Sequence, residues 1–452
     1  MHPLEWADGI ATQRRENSPR LLIPLPERIA GVARSGSMAV KPGIFPTFFL
    51  SGFECSTFLW KDQGRRNLVE ETRHREHADG DYAMLRPLGI AVAREGIPWP
   101  LVDKGGQYDF SYIDPFIAAM RKHQILPIWD LCHYGYPDDL DPFSTDFTER
   151  FANYAAAAAR YVTERHRGPY FFTPMNEITF FGYMGAEWGW CAPFQKDHQC
   201  RLDFTAMLAR ADIAAVKAIR DVVPSARMIH IDPLINVVAP VDRPDLEEAA
   251  RHEAEEDAFL AFDIIAGLKA PEFGGSPEIL DIAGFNNYSF GQMEYGGDAP
   301  NKALDPGDPR IVPLCDLMVR GWERYRRPMI IAETSGLEGG RDDWLNDVVR
   351  ECLAAVNRGV DIHAVCMFPA VDMPDWHTGK WLNNGIADLV ETPMGDLMRV
   401  PFQPYVDALH AWQRRLNRAT ELDSNPFDSP VDLEDVIRTA REMQPEADAD
   451  WH

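Results

Sequence analysis

The chain of 452 residues lacks the sequence features of a secreted, membrane-spanning or nucleic-acid-binding protein. Its first residues contain no apolar segment typical of a signal peptide, and no run of about eighteen apolar residues is long enough to cross a membrane. The net charge is −25, which disfavours contact with phosphate backbones and with anionic membranes. These absences predict a cytoplasmic protein with no nucleic-acid partner and no membrane partner.

Cysteines are few, and they form no CxxC pair. The seven cysteines are odd in number and irregularly spaced, which fits reduced thiols in a cytoplasm better than a set of disulfides. The stretch HREH at residues 74–77 differs from the HExxH zinc motif and has no evident third ligand. We interpret this stretch as solvated, and the sequence predicts no metal site.

What the chain does contain is an alternation of apolar runs and helical patterns. Eight runs look like buried parallel strands, and they cover residues 47–52, 89–95, 125–131, 170–175, 227–233, 281–288, 328–333 and 362–369. Apolar residues recur at helical spacing in residues 111–123, 146–166, 203–223, 311–326, 344–359 and 402–416. This order predicts an α/β fold of the (β/α)₈ TIM barrel type. A doubly wound open sheet is the alternative, but no GxGxxG follows the first run.

The two ends of the chain differ from the alternating part. Residues 1–44 are rich in Pro, Arg and Gly and show no periodicity, and residues 419–452 are acidic. We therefore predict an N-terminal extension over 1–44, a catalytic barrel over 45–418 and an acidic C-terminal tail over 419–452.

Polar and aromatic side chains follow the predicted strands at the point where each strand ends. They include Glu54, Arg94, Asp130, His133, Tyr134, Asn176, Glu177, Asn286, Tyr288, Glu333, Asp375 and Trp376. In a (β/α)₈ barrel these strand ends meet at one mouth, where active sites are found. Carboxylates, amides and aromatic rings together suit a sugar, and two acids flanking one bond suit the cleavage of a glycosidic bond. Taken alone, each glutamate would more often be a surface or capped structural acid than a catalyst.

Several segments in this order resemble glycoside hydrolase family 1 and the wider clan A of retaining glycosidases, over roughly residues 45–415. TPMNE (173–177) is similar to the acid/base signature T-x-N-E, and PMIIAETSG (328–336) is similar to the strand that carries the nucleophile. The resemblance extends to AVAREG (91–96), AGFNNYS (283–289) and the loop GYMGAEWGWCAPF (182–194).

The resemblance implies a role for each matching residue. Glu177 would be the acid/base and Glu333 the nucleophile, and their carboxyl groups would lie about 5–5.5 Å apart. Asn176 would contact the sugar 2-hydroxyl, while Arg94 and Tyr288 would hold Glu333. No metal or organic cofactor is required. The segments WDLCHYGYPDDL (129–140) and MFPAVDMPDW (367–376) are similar to family segments that bind the sugar, and the implied contacts are His133, Tyr134, Phe368, Asp375 and Trp376.

The sugar contacts also show where this chain departs from the family pattern. A family Trp becomes Phe368, a Glu becomes Asp375, and the His–Trp pair becomes His133–Tyr134. The usual Gln of the first strand aligns with Leu59, and Glu54 could replace it from nearby.

These differences affect predicted sugar contacts and not the two glutamates that would cleave the bond. The sequence therefore predicts the reaction but does not define the sugar. We predict a retaining β-glycoside hydrolase acting on a small glycoside or oligosaccharide, in a chain that could also form a homo-oligomer. The alternatives are a carbohydrate-binding barrel without catalysis and a transglycosylase with the same machinery.

Overall fold

The structure is a computed structural model that describes residues 43–297 and 299–416. The predicted acidic tail and nearly all of the predicted N-terminal extension lie outside the described residues. Eight parallel strands form a closed barrel, and they are β1 (Phe49–Gly52), β2 (Val92–Gly96), β3 (Leu126–Asp130), β4 (Phe171–Thr173), β5 (Arg227–Pro233), β6 (Ile282–Asn286), β7 (Met329–Thr334) and β8 (Ile362–Met367). Each strand pairs with its neighbours in the chain, and β1 closes the barrel on β8 with Phe49 opposite Val365.

One principal helix follows each barrel strand. These helices are α1 (His74–Leu85), α2 (Asp114–His123), α3 (Thr145–Arg165), α4 (His198–Val222), α5 (Leu260–Ile265), α6 (Leu314–Tyr325), α7 (Arg341–Asn357) and α8 (Gln403–Leu416). Local sequence sets several of their ends. Ser144 accepts a hydrogen bond from the backbone of Phe147 at the start of α3, and Asp197 does the same for Cys200 at the start of α4. The predicted (β/α)₈ barrel is confirmed.

Shorter elements build the loops between strands and helices. Short strands cover Leu59–Trp60, Gly64–Arg65, Asn236–Val238, Gln292–Glu294, Lys302–Ala303, Ala387–Glu391 and Leu397–Pro401. Single-turn α-helices cover Leu68–Glu71, Trp99–Val102, Ile178–Gly182 and Glu247–His252. Turns of 3₁₀-helix cover Arg86–Leu88, Phe110–Ile113, Pro244–Leu246, Pro271–Phe273, Ser289–Gly291 and Glu338–Gly340, and π-helical turns cover Tyr183–Glu187 and Glu253–Asp257. Among the described residues, no helix combines the length and apolar character needed to cross a membrane.

The interior of the barrel is packed rather than open. Inward-facing apolar side chains from the strands form one cluster, which Phe45 joins from below with its ring 4.9 Å from that of Phe171. A much larger apolar cluster lies between the strands and the surrounding helices. The polar groups of the strand ends are therefore confined to the upper, C-terminal face of the barrel, as the fold requires.

The interpretation of residues 74–77 as a solvated stretch fits the exposed Glu76 but is wrong for His74. His74 begins α1 and is fully buried, with its ring stacked between those of Phe53 and Phe116 at 3.7 and 5.1 Å. Its two ring nitrogens contact Asp81 at 2.7 Å and Glu95 at 2.8 Å. A histidine between two carboxylates can be buried because its charge is compensated. The four residues HREH do not contain these partners, so the burial of His74 could not be predicted from them.

Candidate active site

The strand ends bring most of the predicted site residues together at one mouth. Arg94 lies in β2 and Glu333 in β7, while Asn176 and Glu177 follow β4 directly. The Phe368–Pro369 peptide that follows β8 is cis. Both glutamates are buried, with 7% of Glu177 and 4% of Glu333 exposed. The site therefore holds two carboxyl groups in a largely desolvated environment.

Glu333 is held at both carboxylate oxygens. Arg94 donates from Nη1 to Oε1 at 2.7 Å, and the hydroxyl of Tyr288 donates to Oε2 at 2.9 Å. These partners orient the carboxylate and stabilise its negative charge. They are the two residues that the sequence resemblance assigned to Glu333.

Arg94 links this carboxylate to the rest of the site. Its guanidinium is fully buried and donates from Nη2 to Asp130 at 2.6 Å and to the side-chain oxygen of Asn176 at 2.9 Å. The ring of Phe368 lies 4.9 Å from the same guanidinium. Burial alone would raise the pKa of Asp130, but Arg94 and His133 outweigh it and hold that pKa below its usual range.

Glu177 has different surroundings. Tyr134 donates its hydroxyl to Oε2, and Asn286 donates from Nδ2 to Oε1 at 2.8 Å. Burial and the negative charge of Glu333 raise the pKa of Glu177 to about 7, although the hydrogen bonds from Tyr134 and Asn286 oppose that shift. A pKa near neutrality suits a group that must donate a proton and later accept one.

His133 is fixed by contacts on both ring nitrogens. Because Arg94 holds Oδ1 of Asn176, the Nδ2 amide of Asn176 faces Nε2 of His133 at 3.1 Å. An amide nitrogen only donates, so Nε2 accepts and the ring proton belongs on Nδ1, which lies 3.3 Å from Asp130. Cys55 Sγ is 3.2 Å from the same nitrogen.

Cys55, Asp130 and His133 also bring three candidate metal-ligating atoms within 4.8 Å of one another. Arg94 already occupies Oδ2 of Asp130 with its own positive charge. Burial and the neighbouring carboxylates raise the pKa of the Cys55 thiol well above its usual value, which disfavours the thiolate that would bind a metal. The group therefore does not suit a resident cation.

The remaining predicted sugar contacts are partly engaged with their own neighbours. Glu54 is buried and accepts hydrogen bonds from the backbone and hydroxyl of Ser56, with its carboxylate 4.0 Å from His133. Asp375 is half-buried, and its Oδ1 accepts from the backbone and hydroxyl of Thr378 at 2.7 Å within its own turn. One oxygen of each carboxylate is therefore already bonded within the protein.

Aromatic rings from three loops pack together beside Tyr134. This aromatic cluster consists of Trp60, Trp190, Trp376 and His377. Trp60 lies 6.1 Å from Trp190, 6.5 Å from Trp376 and 4.9 Å from His377, measured between ring centroids. Trp376 in turn contacts the ring of Tyr134 at 5.6 Å.

A cavity of about 320 Å³ lies beside Tyr134 and is also lined by Leu59, Tyr136 and Phe194. Leu59 occupies the position that the sequence resemblance gives to a sugar-binding Gln. The cavity thus reaches the side chain that donates to Glu177.

Two further residues of the site were not assigned a role from the sequence. Asn286 donates to Glu177 across 109 positions of the chain, and Asp130 pairs with Arg94. Both stood among the polar residues at strand ends, which was the available signal. Their partners depend on barrel closure and were not evident.

Comparisons with known proteins agree with this geometry. The model of glycosyl hydrolase family 1 matches residues 64–265, a region that contains Arg94, Asn176 and Glu177 and ends before Glu333. A family 1 β-glucosidase from Thermotoga maritima is similar at 17% identity with a TM-score of 0.66, over 84% of this chain and 100% of that chain. A search of curated proteins finds no match.

The same organism's β-glucosidase in complex with deoxynojirimycin is similar at 16% identity with a TM-score of 0.67, over 84% of this chain and 100% of that chain. Its complex with castanospermine is similar at 18% identity with a TM-score of 0.67, over 83% and 99% respectively. At these identities the likeness shows the fold. The barrel fold and the family match together identify the chain as a glycoside hydrolase. The predicted resemblance to glycoside hydrolase family 1 is confirmed by this match over residues 64–265 and by the shared barrel fold.

Proposed function

We propose that the chain is a retaining β-glycosidase that cleaves a small glycoside or oligosaccharide through a covalent glycosyl-enzyme. One observation carries the proposal: Glu177 and Glu333 are buried at the same barrel mouth and have opposite surroundings. Glu333 faces a cation and a phenol, whereas burial and the charge of Glu333 raise the pKa of Glu177 to about 7. Two carboxyls whose environments differ in this way suit a nucleophile and an acid. We expect their carboxyl groups to lie about 5–5.5 Å apart.

In the first half of the reaction, Glu333 attacks the anomeric carbon while the bond to the leaving oxygen breaks. Glu177 gives its proton to that oxygen, so the alcohol leaves neutral and Glu177 becomes a carboxylate. Arg94 and Tyr288 keep the attacking carboxylate in one orientation, which lowers the entropy that must be lost at the transition state.

In the second half, Glu177 accepts a proton from water, and the oxygen of that water attacks the anomeric carbon. The bond to Glu333 breaks and the carboxylate is regenerated. Because the ester of Glu333 carries no charge, one of the two causes that raise the pKa of Glu177 is absent at this stage. Glu177 therefore ionises more easily at the stage at which it has to act as a base.

The sugar itself is defined by the neighbours of this pair. Asn176 would donate to the 2-hydroxyl once Nδ2 exchanges one of its bonds to His133 and Tyr134 for the sugar, and this contact strengthens in the oxocarbenium-like transition state. Leu59, Phe368 and Asp375 stand where the family pattern has Gln, Trp and Glu contacts to the sugar. We therefore propose that this chain binds a sugar different from the one that those family contacts recognise. A panel of nitrophenyl α- and β-glycosides identifies that sugar, and addition of a sugar acceptor separates hydrolysis from transglycosylation.

The nucleophile assignment is tested with Glu333→Gln. We expect kcat/KM to fall by at least about 10⁴-fold, since the attacking atom is removed. The control is Glu338→Gln, which changes an exposed acid in the same loop and leaves activity within about twofold.

Two further measurements complete the test. A 2-fluoro β-glycoside labels Glu333 covalently, and azide rescues Glu333→Gly with an inverted glycosyl azide as product. Turnover that persists in Glu333→Gln contradicts the assignment. Sugar binding without labelling or turnover favours a binding barrel without catalysis.

A further inference from the structure

Tyr134 and Glu177 meet through an unusual backbone arrangement. Tyr134 has φ of 63° and Glu177 has φ of 46°, and a bulky side chain rarely adopts this left-handed region. The surrounding backbone is hydrogen bonded: Thr57 donates to the carbonyl of His133 at 3.2 Å, and Glu177 donates to the carbonyl of Ile231 at 2.9 Å. The fold thus holds both residues in a costly conformation that brings a phenol onto a carboxyl group.

The hydroxyl of Tyr134 is engaged inside the protein. It donates to Oε2 of Glu177 and accepts from Nδ2 of Asn176 at 3.3 Å. The ring is fixed between Trp376 and Phe181, each with its centroid 5.6 Å away. Because the ring is held in this way, the hydroxyl of Tyr134 stays in hydrogen-bonding contact with the carboxyl group of Glu177.

The two oxygens of Glu177 have chemically different partners. Asn286 binds Oε1 through an amide nitrogen, which can only donate. Tyr134 binds Oε2 through a hydroxyl, which can donate to a carboxylate or accept from a protonated carboxyl. Oε2 is therefore the oxygen that can gain and lose a proton while its partner stays in place.

We propose that Tyr134 is a positioning residue for the acid/base: it keeps Oε2 of Glu177 as the proton-carrying oxygen and stabilises the ionised form needed in the second half of the reaction. The inference rests on the proposed function and deepens it. The indole of the family pattern has no hydroxyl, so this bond belongs to the chain's own departure at Tyr134.

Other groups around Glu177 also influence its charge. They are Glu333, His133, Tyr288 and Asp232. Glu333 takes its own hydrogen bonds from Arg94 and Tyr288, and neither of these bonds involves Tyr134. Removal of the Tyr134 hydroxyl therefore acts on the acid/base and leaves the bonds of the nucleophile in place.

The test is Tyr134→Phe, with Tyr136→Phe as the matched control. Tyr136 lines the same cavity two residues away and loses the same atom. Loss of a hydrogen bond to the ionised form raises the pKa of Glu177, so we expect the falling limb of kcat/KM to move up by about one pH unit in Tyr134→Phe only. For an activated aryl glycoside limited by loss of the sugar, the rising limb of kcat moves up as well.

A contact that only grips the sugar gives a different result. In that case KM rises equally for aryl and alkyl glycosides and both limbs stay in place, which overturns the inference. Equal shifts in Tyr134→Phe and Tyr136→Phe overturn it too, because they indicate a general loosening of the cavity.

A titration that needs no substrate separates this inference from the proposed function. Carbon-13 NMR of labelled glutamate carboxyls follows Glu177 directly, and Glu177→Gln identifies its signal. We expect a midpoint of about 7 in the natural protein, in line with the raised pKa of Glu177, and a higher midpoint in Tyr134→Phe. If Tyr134→Phe does not fold, 3-fluorotyrosine at position 134, a stronger donor, is expected to lower the midpoint.

The two failures are then distinguishable. An unchanged midpoint overturns the positioning role of Tyr134 even in an active enzyme. An enzyme that neither turns over β-glycosides nor is labelled at Glu333 contradicts the proposed function, whatever the titration shows.

Discussion

At the residue scale, the hydroxyl and the ring of Tyr288 have different partners, so their contributions can be tested separately. The hydroxyl donates to Oε2 of Glu333 at 2.9 Å, whereas the ring stacks on Phe290 at 5.1 Å with an interplanar angle of 9°. Tyr288→Phe keeps the stacked ring and removes the hydrogen bond. The change therefore reports on the orientation and charge stabilisation of the nucleophile rather than on the packing of the ring.

For Tyr288→Phe we expect kcat/KM to fall about 10- to 100-fold, the effect of losing one hydrogen bond to a charged group. The control Phe290→Leu disturbs the stacking and keeps the hydroxyl, so it should cost less than about threefold. Steady-state kinetics with an aryl glycoside measures both. A larger loss in Phe290→Leu than in Tyr288→Phe contradicts a role for the hydroxyl.

Individual residues also show which parts of the site can be predicted. The positions of Glu177 and Glu333 at the barrel mouth were predicted because each lies at or just beyond the end of a strand, in a motif of known type. The engagement of Glu54 with Ser56 was not predicted, because it depends on the rotamer of one buried side chain. The donation from Asn286 to Glu177 was not predicted either, because it depends on which strand ends face each other across the mouth.

At the scale of elements, α1 is joined to the barrel by a buried ionic cluster. His74 and Asp81 lie on α1, Glu95 lies on β2, and Arg399 reaches Asp81 from the hairpin strand Leu397–Pro401 at 2.7 Å. Burial alone would lower the pKa of His74, but Glu95 and Asp81 raise it to about 9. His74 is therefore a cation at neutral pH.

We expect His74→Gln to lower the free energy of unfolding by about 3–5 kcal/mol, because the buried Glu95 loses its cation and Asp81 keeps only Arg399. Denaturant unfolding at neutral pH measures this. The control His77→Gln changes a partly exposed histidine paired with Asp396, and it should cost less than about 1 kcal/mol. Equal losses in the two variants contradict the special role of His74.

The same cluster predicts a pH dependence of stability. The pKa of His74 is raised in the folded protein, so its contribution is complete below about pH 6.5, the ordinary value, and is lost as the pH rises through about 9. We expect about 3 kcal/mol of unfolding free energy to disappear over this window. His74→Gln should flatten this part of the profile, and an unaltered slope contradicts the assignment.

Most helices and strands were predicted from the periodicity of apolar residues. Two helices, α1 and α5, were not predicted, and each has an identifiable reason. The helix α1 carries the polar string HREHADGD, whose buried members are held by partners on β2 and on a distant hairpin. The helix α5 has only six residues, too few for a periodic pattern to emerge. In both cases tertiary contacts, which a local pattern does not contain, decide the structure.

At the scale of the whole molecule, the barrel is complete within the described residues. All eight strands and their helices lie between residues 49 and 416, and the first strand pairs directly with the last. Phe45 closes the lower end of this barrel, with 1% of its surface exposed and its ring against Phe171. We therefore expect the N-terminal limit of the stable fold to lie just before Phe45.

A chain shortened to residues 43–418 should keep the thermal midpoint and the activity of the full chain. A chain shortened further to 47–418 loses the Phe45 ring, and the cavity left beside Phe171 should lower the free energy of unfolding by about 3–5 kcal/mol. Phe45→Ala in the full chain is the matched substitution and should reproduce most of that loss. Equal stability of the 43–418 and 47–418 chains contradicts the closing role of Phe45. A marked loss in the 43–418 chain would instead show that the end segments stabilise the barrel, and the predicted division at residues 44 and 418 would then have to be abandoned.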